Sequence, residues 1–140
     1  MRWLNKDEVR AYLRNHGVTS GAKTEEIMSG FDFDQPLYEQ PLEEGQALYQ
    51  FVRMPSFYGA GGMGNWFALP SASMDGLAIF GGLSGRHPHK FQVTHSFVAL
   101  EGTAAKLPKD WGWGGGGFGG ATQLYVPPRL LGHVTSVGPL

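Results

Sequence analysis

The residues with the most unusual chemistry are those of the stretch 111–120, which reads Trp-Gly-Trp-Gly-Gly-Gly-Gly-Phe-Gly-Gly. Four consecutive glycines cost much backbone entropy on folding, but they let the chain approach a ligand with no Cβ in the way. An isolated glycine run reads as a surface tether. This one lies between Trp111, Trp113 and Phe118 and feeds a strand, which favours a binding loop. Three residues on, Gln123 sits among β-formers in Ala-Thr-Gln-Leu-Tyr-Val, where its amide can offer two donors and an acceptor to a ligand. The bland alternative is a solvent-facing strand position of little energetic weight. Arg53 and Arg86 are the natural anion binders, because a planar guanidinium fork matches a pyrophosphate. Trp66 and Phe67 can stack a flat heterocycle, although adjacent strand residues point to opposite faces and at least one belongs to a core.

Several chemistries are excluded. The glycine stretch lacks the Lys-Ser/Thr of a P-loop and the strand-to-helix setting of a dinucleotide fingerprint. There is no Gly-x-Ser-x-Gly elbow and no His-Glu-x-x-His. His87 and His89 flank a proline with no acidic neighbour, so no metal site is expected. Glu43, Glu44, Glu101 and Asp110 are candidate acids by residue type alone. With no cysteine, disulfides and thiolate chemistry are absent together.

These residues need a scaffold, and 140 residues are enough for one domain with one core. Hydrophobic residues at 41% and a net charge of −1 argue against disorder and against a polycationic surface for nucleic acid. No apolar run approaches the ~20 residues of a membrane span, and Met1-Arg2-Trp3 opens no signal-peptide core. Twenty-two glycines and nine prolines indicate a turn-rich, mainly β fold.

Asn5 with Glu8 forms a capping box, Val9, Tyr12, Leu13 and His16 share a helical face, and Gly17 is a stop. A second short helix is expected from Thr24 to about Gly30. Strands are expected at 37–40 (at most a short edge, bracketed by Pro36 and Pro41), 48–54, 65–69, 90–100 and 122–126. In the strand 48–54, alternation puts Leu48, Gln50, Val52 and Met54 on one face and Arg53 on the other. A helical turn is expected at 71–77, and Phe91, Val93, His95, Phe97 and Ala99 share one face of the long strand. The domain reading is a helical N-terminal segment, 1–30, followed by a functional domain, 31–140.

Taken in order, Leu-Tyr-Gln-Phe-Val, Gly64-Asn65-Trp66-Phe67-Ala68-Leu69-Pro70, Leu100-Glu101-Gly102-Thr103-Ala104-Ala105 and Gly119-Gly120-Ala121-Thr122-Gln123-Leu124-Tyr125 form a pattern. It resembles the NAD-degrading toxin domains of the tuberculosis necrotizing toxin type and the related domains that end bacterial polymorphic toxins. The resemblance covers about residues 30 to 131. Its most specific part is Gly-Gly-Ala-Thr-Gln-Leu-Tyr, similar to the family's Gly-Gly-Gly-Thr-Gln-Tyr.

That resemblance implies an α+β fold related to ADP-ribosyltransferases, a mainly β core of two small sheets around a cleft, with a short N-terminal helical segment. It implies NAD(P)+ as substrate, hydrolysis of the nicotinamide–ribose bond, and no required cofactor or metal. Gln123 and Arg53 would be the catalytic residues. Gln50, Asn65, Trp66, Phe67, Arg86 and Thr122 would bind the dinucleotide. Two features depart from the family: Gln50 stands where an Arg is usual in the first core strand, and a second family Arg has no match at 73–77, Arg86 being the nearest. The implied partners are a cognate immunity protein and a parent delivery protein, with action in the cytosol of a target cell. The other readings are an ADP-ribosyltransferase that modifies a macromolecule and a non-enzymatic β-rich binding module. No Glu on the Gln123 strand is available to activate a protein acceptor, which favours water.

Overall fold

The structure, a computed structural model, describes residues 3–52, 65–68, 87–105 and 122–139. Helix α1, Lys6–Asn15, begins as its sequence dictates. The Asn5 side chain accepts from the Glu8 N–H at 2.9 Å, and the Glu8 carboxylate accepts from the Asn5 N–H at 3.1 Å. It ends at Gly17, whose φ of 90° only glycine adopts without strain. Helix α2, Gly21–Met28, starts three residues earlier than expected because Ser20 accepts from the Lys23 N–H and supplies the cap.

Among the described residues seven strands follow: β1 Tyr38–Leu42, β2 Ala47–Val52, β3 Trp66–Ala68, β4 His87–Val93, β5 Phe97–Thr103, β6 Thr122–Tyr125 and, after a 3-10 helix at Pro128–His133, β7 Val134–Pro139. The order is β1-β5-β6-β3-β2-β4-β7, with every pair antiparallel. The expected strand 90–100 is two strands. Its chain breaks at 94–96, where the Thr94 N–H turns away to donate to the His133 carbonyl at 2.7 Å. His95 is exposed at that turn, while Phe91, Val93, Phe97 and Ala99 still share one core. Strand β7 was not expected. The helical turn expected at 71–77 lies outside the described residues.

The described strands form one hydrogen-bonded sheet, which corrects the expectation of two. The sheet is nevertheless bent into two facing halves. Strands β4 and β5 lie four places apart in the order, roughly 19 Å in a flat sheet. The link from Val93 to Phe97 reaches at most about 14 Å. The link from Leu42 to Ala47, which also joins strands four places apart, is turned back by the Gly45 N–H donating to the Val93 carbonyl at 2.8 Å. The half β1-β5-β6-β3 therefore curls over β2-β4-β7. The space between them is an apolar core of Leu42, Phe97, Ala99, Leu124, Val126 and Phe67 with Leu48, Phe91, Val93 and Val134. The seam is β2–β3, where Tyr49 pairs with Ala68.

The outer face of the first half carries Leu100, Tyr125, Trp66 and Val98, covered by Val9, Tyr12, Leu13, Ile27 and Met28 of the two helices. Val9, Tyr12, Leu13, Ile27 and Met28 thus share a core with the sheet. Among the described residues, no helix is long and apolar enough to cross a membrane.

Candidate functional site

Three buried polar side chains stand out among the described residues: Gln50, Glu101 and Gln123. Such groups are costly to bury unless hydrogen-bonded. They come from β2, β5 and β6, within one run of neighbouring strands. The sequence separates Gln50 from the other two by more than fifty residues, and the strand order places all three within four neighbouring strands.

Gln123 is 2% exposed, so the solvent-facing reading does not hold. It shares a face with Tyr125, towards the helices, and its Nε2 donates to the Gly30 carbonyl at 2.6 Å. That carbonyl also accepts the Ala105 N–H at 3.0 Å, so the end of the helical segment is tied to both β6 and the end of β5. Phe31 bridges Ala104, and the Asp32 N–H donates to Thr103, continuing the tie. Trp66 packs beside it, with ring centroids 5.1 Å from Phe31 and 5.0 Å from Tyr125.

Gln50 lies on the other face, the alternation expected from its strand. Its Nε2 donates to the Trp66 carbonyl at 2.6 Å, so a side chain supplies a bond across the β2–β3 seam. Asn65 works similarly one strand over. Its backbone carbonyl accepts the Val126 N–H at 2.8 Å, and its Nδ2 donates to the Val126 carbonyl at 2.9 Å. Phe67 is buried edge-on against Phe91 at 5.3 Å, within the core between the half-sheets. Thr122 is exposed and pairs with Thr103.

The structure thus gathers Gln50, Asn65, Trp66, Phe67, Thr122 and Gln123 onto β2, β3 and β6 and their flanks, but on two faces. Register decides this: Tyr49, Ala68 and Gln123 are successive partners and share one face, which leaves Gln50 on the opposite one. Arg53 and Arg86 lie outside the described residues. Their chain neighbours Val52 and His87 are register partners. Trp111, Trp113, Phe118 and the glycine stretch also lie outside them.

The solved structures that share this fold include the following two. Tse6, solved in complex with Tsi6, matches with a TM-score of 0.70 and 25% identity, over 94% of this chain and 93% of that one. Rhs1-CT, solved in complex with its cognate immunity protein RhsI1, matches with a TM-score of 0.54 and 16% identity, over 99% and 97%. No family model and no curated relative matches. The match to Tse6 leaves 6% of 140 residues outside it, about eight. It therefore extends into the N-terminal helices, beyond the stretch that carries the sequence resemblance.

The sequence reading named Glu101 only as an acid among others. Glu101 is 5% exposed on β5, opposite Leu124 on one side and Tyr38 on the other. The Tyr38 hydroxyl donates to its carboxylate in a short hydrogen bond. That bond, with lesser help from burial, pushes the Tyr38 phenol up to about 12. The signal in the sequence was a lone carboxylate in the apolar run Phe97-Val-Ala-Leu-Glu101. On the helix side, burial pushes Tyr125 up to about 12 and holds Tyr12 above the usual phenol range. Among the described residues, no three His, Asp or Glu side chains come together as a metal site.

Proposed function

We propose that this chain is the NAD(P)+ glycohydrolase domain of a bacterial toxin, acting in the cytosol of a target cell and neutralised by a cognate immunity protein. The observation that carries the toxin reading is the likeness, over almost the whole chain, to Tse6 bound to Tsi6, alongside Rhs1-CT bound to its immunity protein. The NAD reading is supported by the Gly-Gly-Ala-Thr-Gln-Leu-Tyr segment. A parent protein that delivers the domain belongs to the same proposal.

Nicotinamide departs as a neutral molecule, so the reaction requires no general acid. The site must stabilise an oxocarbenium-like ribose and position water. In this reading, Gln123 uses the part of its amide not given to Gly30 to hold the ribose hydroxyls. Arg53 and Arg86 hold the pyrophosphate, and Gln50, Asn65, Trp66, Phe67 and Thr122 shape the pocket. No metal or additional cofactor takes part.

The test is to incubate the purified domain with NAD+ or NADP+ and follow free nicotinamide. Release without an acceptor is expected. Release only with a macromolecular target would replace this reading by an ADP-ribosyltransferase, and no release at all would leave a binding module. In cells, expression should deplete NAD and stop growth, and co-expression of the immunity protein should restore both.

A further inference from the structure

We propose that residues 30–32 form a strap closed over Gln123 and Trp66, and that NAD(P)+ engages these two residues only when the strap lifts from the end of β5. This rests on the glycohydrolase reading and adds to it a conformational step.

Two of the residues proposed for the pocket lie under this one segment. Trp66 pairs with Tyr125, two residues along β6 from Gln123, so all three share the helix-facing side of the sheet. Gly30 and Phe31 cover that side. The Gly30 carbonyl accepts from the Gln123 amide at 2.6 Å, and the Phe31 ring lies 5.1 Å from that of Trp66. Gly30 sits so close that a Cβ there would stand 2.9 Å from the indole. At 2% exposure, Gln123 has almost none of its surface open to a ribose. The amide oxygen left over from the Gly30 bond is therefore reached only after the cover has moved.

The strap is held by few bonds. Its ladder to the end of β5 is a single bridge, Phe31 to Ala104, flanked by the Asp32 N–H donating to the Thr103 carbonyl at 2.8 Å and the Ala105 N–H to that of Gly30 at 3.0 Å. Helix α2 ends just before it, at Met28, and a turn follows it, where the Gln35 N–H donates to the Asp32 carbonyl at 3.1 Å. Ends of elements and turns such as these are where hinges absorb a backbone rotation. Closure also leaves a polar group unsatisfied. Among the described residues the Tyr125 hydroxyl, buried in the same layer, has no hydrogen-bond partner, which lowers the stability of the closed arrangement.

The competing role is a permanent structural tie. A disulfide separates the two, and the chain has no cysteine of its own to interfere. The backbone bonds flank Phe31 and Ala104 rather than joining them, which is the narrow kind of antiparallel pair, with a Cα spacing of about 4.5 Å that suits a disulfide.

Nicotinamide release is measured on the whole chain carrying Phe31→Cys together with Ala104→Cys, oxidised and then reduced. If the strap must lift, oxidation should lower kcat/KM roughly tenfold or more, and reductant should restore it, with no such response in the wild type. Phe31→Leu, which keeps apolar bulk but loses the ring contact with Trp66, is the second variant if the cysteine pair folds poorly or is inactive in both forms. It should raise kcat/KM roughly threefold by enlarging the open fraction. Equal activity in the oxidised and reduced forms, or an unchanged or lower kcat/KM in folded Phe31→Leu, overturns the strap and leaves the glycohydrolase reading standing. Absence of release by the wild type removes both.

Discussion

The side-chain amide of Gln123 donates to the backbone carbonyl of Gly30 at 2.6 Å, joining residues 93 apart in sequence. One residue thus stands at the proposed ribose site and also holds the helical layer to the sheet. On the sequence alone, Gln123 is a strand-end amide that touches ligand, and its loss would barely affect stability. Burial reverses that expectation.

Gln123→Ala should therefore cost about 1–3 kcal/mol, through the lost bond and the space left behind, and lower Tm by several degrees. Under the proposed function it should also reduce turnover by orders of magnitude at temperatures where the variant is folded. Thermal melts and nicotinamide release on the same preparation check both. An unchanged Tm would contradict the Gly30 tie, and full activity would end the ribose role.

Gly30 is required by space rather than by φ. A Cβ there would lie 2.9 Å from Cη2 and 3.0 Å from Cζ2 of Trp66. That ring is wedged between Phe31 and Tyr125 and has little room to move. Gly30→Ala should destabilise the chain by about 1–3 kcal/mol, measured by urea denaturation. Gly21→Ala, where the added methyl meets nothing within 4 Å, is the control and should be neutral or better.

Alkaline pH should weaken the fold. Tyr38 and Tyr125 each titrate near 12 in the folded chain against an ordinary value of 10. The folded state therefore binds more protons between those values. This contribution to stability is complete below pH 10 and is lost as pH rises from 10 towards 12. Melts between pH 8 and pH 11.5 should show the decline, and Tyr38→Phe should make it shallower. A flat profile would contradict the Tyr38–Glu101 bond.

If Arg53 and Arg86 hold the pyrophosphate, replacing either by Ala should raise KM roughly tenfold with a smaller effect on kcat. Steady-state kinetics with NAD+ decides. Unchanged KM in both variants would assign the diphosphate to other groups.

The local signals were legible because they depend on neighbours in the chain. The Asn5–Glu8 capping box, the stop at Gly17, the alternation that buries Leu48 and Gln50, and the strand ending before Pro127 need only sequence and short-range geometry. What is shown of function, a fold shared with two proteins solved with bound partners, agrees with the resemblance carried by a few short motifs. Tertiary structure decided the rest. Only the Thr94–His133 bond reveals that 90–100 is two strands, and only the strand order reveals one bent sheet where two were expected. Register, a long-range quantity, placed Gln50 and Gln123 on opposite faces and brought Tyr38 to Glu101. A sequence reports whether a residue is polar. Whether that polarity meets water, a carbonyl or a buried carboxylate depends on strands that pair across tens of residues.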